Sequence, residues 1–309
     1  MWKKRILQSQ LFFNRKLISD RQDQISRVKL FNFTQHLQQE MYTILLLYAL
    51  LATSLAKAVV PDQVLAASPG YAYALDLAVP VSLSGFTCMK KSGYSTVFVR
   101  GYDPSGNGKF DTNAVNNIRY ANQAGLGSEV YMTPQLHSNK NGAAQFRELY
   151  EGLRNGKIQV RTVWLQVTSP INWGPNTQAN IYFLNDIVSM AKYYGVKIGF
   201  YTNVYDWQQI TKNANVDGAM LWYWNVHGAG PRGETPADFN DFRPFAKFTK
   251  PIVKQFAQVE GVCGVAVNRN VYTVNKSKHF IASQAERSSD EVIVGTLGDE
   301  HLSTFVQIV

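Results

Sequence analysis

The clearest alternation of apolar and polar residues lies in residues 159–168, where β-branched and aromatic side chains predict a β-strand. One face of this strand carries Val163, Leu165 and Val167, and the other carries Thr162, Trp164, Gln166 and Thr168. The aliphatic face suits packing beneath helices. If the strand belongs to a closed parallel barrel, Gln166 and Thr168 lie at its C-terminal end, where barrel enzymes place their reacting groups.

Strands and helices alternate from Tyr71 onward. The predicted strands are 71–77, 95–101, 128–133, 159–168 and 196–202, and the predicted helices are 83–92, 113–124, 143–155, 178–194 and a short one from Tyr205. Three more strands, at 217–225, 251–257 and 262–268, follow with a short helix at 237–246 among them. Five βα units and three strands predict a parallel α/β sheet that closes as an eight-stranded barrel.

The formal net charge of +9 is spread unevenly along the chain. Residues 1–40 carry eight Lys/Arg and three Asp/Glu and form a basic N-terminal extension, whereas residues 59–309 carry a net charge of only +3. Because no dense basic stripe falls in the predicted fold, we expect no nucleic-acid partner. A mild attraction to anionic surfaces such as bacterial walls remains open.

Residues 41–58 are typical of a secretory signal peptide. The apolar run 44–52 has the length of a signal core, and Ala56-Lys57-Ala58 is a small-x-small cleavage site. Residues 1–40 would then be an upstream extension of the gene model. A signal anchor is the alternative, although roughly 15 apolar residues are short of the about 20 that span a bilayer. We therefore predict a secreted protein, or one in the lumen of secretory or lysosomal vesicles, without stable membrane association after cleavage.

The chain contains two cysteines, Cys88 and Cys263. In a secreted protein they would pair, whereas in the cytosol they would be inert buried thiols. Cys88 lies on the first predicted helix and Cys263 on the last predicted strand, so barrel closure would bring them together. We predict a disulfide between them.

Seven short segments, in order along the chain, resemble the glycoside hydrolase family 25 lysozymes and most closely their nematode branch. The segments are Ala74-Leu75-Asp76, Phe98-Val99-Arg100-Gly101, residues 124–131, 163–167 and 199–203, Leu221-Trp222-Tyr223, and Val267-Asn268-Arg269-Asn270. The resemblance implies a single-domain, modified TIM-like (β/α)5β3 barrel over residues 59–273, with residues 274–309 as a C-terminal tail. It also implies muramidase activity on the β-1,4 glycan of bacterial peptidoglycan, in antibacterial defence or digestion. We expect a monomer that binds cell-wall polysaccharide and uses no metal or other cofactor.

The sequence departs from that family at three acidic positions. Family members read Trp-Leu-Asp-x-Glu on the fourth strand, where this chain has Gln166 and Thr168, and a terminal Val-Asp-x-Asn, where it has Asn268. Gln166 cannot titrate, and Thr168 cannot protonate a leaving oxygen near neutral pH. Two hypotheses therefore remain open: a lysozyme-like hydrolase, which we favour, and a catalytically silent protein that binds peptidoglycan or chitin-type sugars.

Two carboxylates are candidates for catalysis. Asp76 lies in an otherwise apolar strand, where a charge needs a functional or structural reason. Glu129 lies on the third strand and shares a face with Tyr131. If it points inward beside Asp76, the crowding of two carboxylates would raise one pKa, as a general acid requires. The alternative for Glu129 is an outward salt bridge to a helix.

Side chains at the predicted rim are candidates for sugar binding. They are Tyr131, Trp164, Gln166, Thr168, Tyr201, Trp222, Trp224 and Asn268. Flat aromatic faces suit stacking on the apolar faces of sugar rings, and amide and hydroxyl groups suit sugar hydroxyls. Filling of the barrel core is the alternative role for the aromatic residues.

Overall fold

The computed structural model describes residues 70–274, 291–299 and 306–309. The predicted N-terminal extension and signal peptide, residues 1–58, lie outside these ranges. Within them, no helix is both long enough and apolar enough to cross a membrane.

The described residues form thirteen strands and five α-helices. The strands are β1 (Tyr71–Leu77), β2 (Tyr94–Asp103), β3 (Lys109–Phe110), β4 (Gly127–Met132), β5 (Ile158–Val160), β6 (Thr162–Gln166), β7 (Lys197–Thr202), β8 (Val216–Asp217), β9 (Met220–Trp224), β10 (Val253–Val262), β11 (Val265–Thr273), β12 (Val292–Val294) and β13 (Gln307–Ile308). The helices are α1 (Leu83–Lys91), α2 (Ala114–Gln123), α3 (Gly142–Asn155), α4 (Thr177–Tyr193) and α5 (Val204–Thr211).

Eight strands close into a barrel in the order β1, β2, β4, β6, β7, β9, β10 and β11. The first seven run parallel, and β11 is antiparallel to both of its neighbours, β10 and β1. The predicted α/β barrel with five βα units is therefore confirmed. Parallel strands bring their C-terminal ends to one edge, which we call the mouth, and their N-terminal ends to the other, which we call the base.

The predicted alternation along β6 is also confirmed. Val163 and Leu165 belong to the core between strands and helices, whereas Trp164 belongs to a separate cluster inside the barrel. That inner cluster includes Phe98, Tyr131, Tyr201 and Trp222. Its rings fill the middle of the barrel and separate the mouth from the base.

The predicted helix at 237–246 is wrong, because this segment forms turns. Asp238 accepts a hydrogen bond from the backbone N–H of Asn240 at 3.0 Å, which closes a local turn in place of helical bonding. Pro244 lacks an N–H and disfavours a helix around it.

The last two barrel strands are longer than predicted and form a hairpin. Its turn lies at Cys263 and Gly264, whose φ values of 52° and 75° suit the tight turns of β-hairpins. The sequence analysis placed this turn inside a single strand, 262–268. The predicted disulfide is present: Cys263 is bonded to Cys88 of α1 and links positions 175 residues apart.

Two parts of the predicted C-terminal tail pack on the barrel. Strand β12 pairs with β5, and β13 pairs with β8. Gly295 follows β12 with a φ of 81°, and a Cβ there would lie 2.5 Å from backbone atoms of Thr162. The close approach requires glycine and places residues 295–299 against the base.

Candidate active site

Asp76 lies at the mouth and is the centre of a network of amide groups. It is the sixth residue of β1, and its side chain is only 4% exposed. Its carboxylate accepts three hydrogen bonds, from Asn270 Nδ2 and Gln255 Nε2 at 2.8 Å each and from Asn268 Nδ2 at 2.7 Å. Three neutral donors thus surround one buried carboxylate.

The three amides are themselves held in place. The Gln255 oxygen accepts from Tyr201 Oη at 2.8 Å, the Asn270 oxygen from Trp222 Nε1 at 2.9 Å, and the Asn268 oxygen from the Val259 backbone N–H at 3.0 Å. Because each amide oxygen has a donor, each NH₂ group is directed at Asp76. Burial raises the pKa of Asp76, and the bonds from Asn270, Asn268 and Gln255 oppose that rise.

Gln255 and Asn270 were not predicted as site residues. Asn270 stands in the Val-Asn-Arg-Asn segment that carried the family resemblance, which was the available signal for it. Gln255 lies between Lys254 and Phe256 in β10, a strand of mixed polarity, so the strand pattern did not distinguish it.

Gln166 and Thr168 form a neutral polar wall beside this network. Thr133 Oγ1 donates to Gln166 Oε1 at 2.6 Å, and Gln166 Nε2 donates to Thr168 Oγ1 at 2.9 Å. Trp173 Nε1 donates to the Thr168 carbonyl at 3.0 Å. These bonds fix both predicted residues at the C-terminal end of β6, without supplying a titratable group.

Asp206 is a second acid at the mouth, and the sequence analysis missed it. It lies in the first turn of α5, directly after β7, and is 2% exposed. Its Oδ2 accepts from Trp224 Nε1 at 3.0 Å, and the backbone of Ser169 also hydrogen-bonds it. Burial raises the pKa of Asp206 from 3.8 to about 6, against the lowering effect of these two bonds. An Asn-x-x-Asp capping pattern beginning at Asn203 was the available signal.

Ser169 has an unusual backbone conformation. Its φ of 57° and ψ of 72° lie in the left-handed region, directly before Pro170. This conformation is unfavourable for a residue other than glycine and costs on the order of 1–3 kcal/mol. The turn brings the Ser169 backbone to Asp206.

The prediction that Trp164 and Trp222 contact a sugar is wrong, because both side chains are fully buried. Trp222 lies between Tyr201 and Phe98, with ring centroids 4.2 and 4.4 Å away. Its faces are therefore covered by protein. Tyr131 and Tyr201 are also buried, and Tyr131 Oη donates to the Leu77 carbonyl at 3.3 Å.

The rim outside the buried layer is partly exposed. Trp224 and Asn268, both predicted as binding residues, are half-buried there. The helical turn after β6 and the start of α5 contact one another, and each exposes an apolar side chain: Ile171 is 92% and Tyr205 61% exposed. Tyr205 thus adds a flat, accessible ring beside Asp206.

Glu129 does not lie beside Asp76, contrary to prediction. The next residue, Val130, pairs with Val163 in the first half of β6, so Glu129 lies near the base. There its Oε1 accepts from the Leu297 N–H and its Oε2 from Trp164 Nε1, both at 2.9 Å. Neither partner bonds Asp76. The Glu129 side chain points into the barrel, as expected. The aromatic layer, however, lies between Glu129 and Asp76, and residues of the C-terminal segment close the base over Glu129.

Substitution of Glu129 by glutamine should remove a pH dependence of stability. Burial is the main cause that raises the pKa of Glu129 from 4.5 to about 7, although hydrogen bonds from Leu297 and Trp164 oppose it. An acid with a raised pKa stabilises the fold at low pH, and this contribution is lost as pH rises through about 7. The difference in unfolding free energy between wild type and variant should change by about 3 kcal/mol between pH 4 and pH 8.

Urea unfolding at several pH values measures this difference. Glu151→Gln is the matched control, because Glu151 is exposed on α3. The unfolding free energy of this variant, plotted against pH, should stay parallel to that of the wild type. A Glu129→Gln curve that is also parallel to the wild type would contradict the assignment of a buried, proton-binding carboxyl at the base.

Comparisons with known proteins agree with the fold. A family model described as Lysozyme-like protein 1 matches residues 67–256. Lysozyme-like protein 1 of Caenorhabditis elegans is 50% identical over 239 residues, which cover 74% of this chain and 80% of that protein. Probable GH family 25 lysozyme 2 of Dictyostelium discoideum is 29% identical over 199 residues, which cover 64% of this chain and 89% of that protein.

Among solved structures, a GH25 lysozyme from Aspergillus fumigatus aligns with a TM-score of 0.51 at 15% identity and covers 67% of this chain and 95% of that one. A bacterial lysozyme from Streptomyces coelicolor aligns with a TM-score of 0.50 at 18% identity, covering 68% and 95%. The fold is therefore that of the family 25 lysozyme barrels. The chain belongs to the Lysozyme-like protein 1 family.

Proposed function

We propose that this protein is a glycoside hydrolase that cleaves the β-1,4 glycan of bacterial peptidoglycan. The observation that carries the proposal is Asp76, a carboxylate at the mouth directed by three fixed amides. Relatives of this protein are named lysozymes or lysozyme-like proteins. A fold alone would not assign chemistry, since one barrel supports many reactions. The combination of family and mouth geometry supports this one.

In the proposed reaction, Asp76 acts as an anion beside the reacting sugar carbon. Glycoside hydrolysis passes through an oxocarbenium-like transition state, and a fixed negative charge lowers its energy. Since Gln166, Thr168 and Asn268 hold no acid, the carbonyl oxygen of the substrate's own N-acetyl group serves as nucleophile. The neutral wall of Gln166 and Thr168 binds sugar hydroxyls, and the exposed face of the rim at Trp224 and Tyr205 stacks on a ring.

The proposal includes a monomeric protein that works outside the cell or in the lumen of secretory or lysosomal vesicles, in antibacterial defence or digestion. The signal-like sequence at 41–58 supports this location, and so does the disulfide between Cys88 and Cys263, since disulfides persist in oxidising compartments. Sequencing the N-terminus of the mature protein tests the location: a start near Val59 agrees with it, and a retained segment 41–58 contradicts it.

The second candidate is a sugar-binding protein without catalysis. Hydrogen-bonded neutral side chains at positions 166 and 168 favour it, because they keep polar groups at the mouth while lacking the carboxyl groups that hydrolysis normally uses. Under this alternative, Asp76 would orient the amides and hold the rim together.

Turbidity of a purified peptidoglycan suspension distinguishes the two candidates. We expect the protein to clear the suspension between pH 4 and pH 6 and to lose activity toward pH 8. Sedimentation of the protein with the insoluble wall is measured alongside. Binding without clearing at any pH from 4 to 8 would overturn the hydrolase proposal and support the sugar-binding protein.

A further inference from the structure

We propose that Asp206 is the proton donor of this barrel. The proposal rests on the proposed hydrolase function and supplies the acid that the fourth strand lacks. In the resembled family, the fourth-strand motif carries the general acid, and that strand is β6 here. The proposal places the general acid in the first turn of α5 instead.

Asp206 is at the right end of the barrel. It lies four residues after the end of β7, at the edge of the sheet where Asp76 is the next-to-last residue of β1 and Trp224 is the last residue of β9. The hydrogen bond from Trp224 Nε1 directs its carboxyl group toward the strand ends rather than along the helix surface. By contrast, Glu129 is bonded to residues at the base.

The Asp206 carboxyl contacts the backbone of the segment after β6, where the resembled family carries an acid and this chain has Thr168. Ser169, whose backbone hydrogen-bonds Asp206, is the residue immediately after Thr168. The family resemblance places a glutamate at position 168. Asp206 therefore places a carboxyl group next to position 168, although it belongs to a different element, α5.

The groups that face Asp206 leave it neutral in mild acid. They are the Trp224 indole from β9 and the Ser169 backbone from the turn after β6, which both hydrogen-bond it. Within the described residues, no ion pair joins Asp206 to a cation. Burial is the main cause that raises the pKa of Tyr201, and the charges of Asp76 and, more weakly, Asp206 add to the rise. This tyrosine therefore lies within the electrostatic reach of both acids. Burial keeps Asp206 protonated up to about pH 6.

Asp206 gives one proton and regains one proton in each cycle of the proposed reaction. Protonated Asp206 gives its proton to the glycosidic oxygen as the bond from that oxygen to the sugar carbon breaks, and the leaving sugar departs as an alcohol. The N-acetyl carbonyl oxygen bonds to the carbon, and ionised Asp76 stabilises the positive charge. Water then adds to the carbon as the bond between that carbon and the N-acetyl oxygen breaks, which regenerates the N-acetyl group. The water gives one proton to Asp206, which restores the starting state.

Asp206→Asn tests the assignment with two substrates. Asparagine keeps an oxygen for the Trp224 indole but has no proton to give. At pH 5 the rate on peptidoglycan should fall about 100-fold. The kcat/KM on a 2,4-dinitrophenyl β-glycoside of a peptidoglycan disaccharide should stay within about threefold, because it reports departure of the leaving group, which here needs no protonation. Asp186→Asn, on the exposed surface of α4, is the matched control and should retain both rates.

Trp224→Phe provides a second readout. Loss of the indole N–H removes a bond that lowers the pKa of Asp206, so the alkaline limb of the peptidoglycan rate should move to higher pH.

Equal losses on both substrates in Asp206→Asn would mean a structural role and overturn the assignment, as would an unchanged rate on peptidoglycan or an unmoved alkaline limb in Trp224→Phe. A wild-type protein that hydrolyses neither substrate would instead overturn the proposed hydrolase function itself.

Discussion

Replacement of Asp76 by asparagine should lower the rate of peptidoglycan hydrolysis about 10³-fold at pH 5. The variant loses the negative charge that the proposed reaction places beside the sugar carbon. Binding of the insoluble wall should change much less, because the rim side chains remain in place. Initial rates of reducing-sugar release and sedimentation with the wall, measured on the same preparations, give the two numbers.

The hydrogen bonds around Asp76 decide how this result is interpreted. All three neighbouring amides donate to it, so an asparagine NH₂ group at position 76 would face at least one other donor. An unsatisfied buried donor costs about 1–3 kcal/mol, and urea unfolding of the variant must therefore accompany the rates. Rates within tenfold of the wild type in a folded variant would contradict a catalytic Asp76.

Removal of the disulfide is the second large effect. The double variant Cys88→Ser and Cys263→Ser should lose about 4–5 kcal/mol of unfolding free energy, because the bond closes a loop of 175 residues and restricts the unfolded chain. That loss changes the unfolding equilibrium about 10³-fold. Urea unfolding of the oxidised wild type, the reduced wild type and the double variant measures it.

The reduced wild type is the matched control, since it contains the same residues without the bond. It should unfold at nearly the same urea concentration as the double variant. If oxidised and reduced protein were equally stable, the link between α1 and the β10–β11 turn would have no stabilising role.

The barrel could be predicted because its signals are local. Most of the parallel strands alternate or are largely apolar, and the helices between them have the length of a βα crossover. The β10–β11 hairpin was harder to place, because its turn consists of Cys263 and Gly264 inside a run of apolar residues. The pairing of β12 and β13 could not be predicted from such short segments, whose strand conformation depends on partners about 90–135 positions earlier in the chain.

The site was predictable only in part, for a geometric reason. Alternation along a strand shows which face a side chain occupies but not how deep in the barrel it lies. Glu129 was therefore correctly placed on an inward face and wrongly placed beside Asp76, since the pairing of β4 with the first half of β6 and the bond to Leu297 put it near the base. Asp206 comes from a helix, and its position at the mouth depends on the packing of α5 against β9 and Ser169.

The two ends of the barrel use buried acids differently. At the base, Glu129 bonds the C-terminal segment and raises stability in acid. At the mouth, Asp76 and Asp206 each lie among neutral donors, and within the described residues neither forms an ion pair. Because the two acids have different partners, one can be charged while the other is protonated, as the proposed reaction requires of Asp76 and Asp206.

The most direct test of the account is mass spectrometry of the material that the protein releases from purified peptidoglycan at pH 5. We expect soluble fragments with new reducing sugar ends at the β-1,4 linkage, formed by the wild type and missing with Asp76→Asn. Wild-type protein that sediments with the wall but produces no new reducing ends would contradict the account and leave a barrel that binds the glycan without cleaving it.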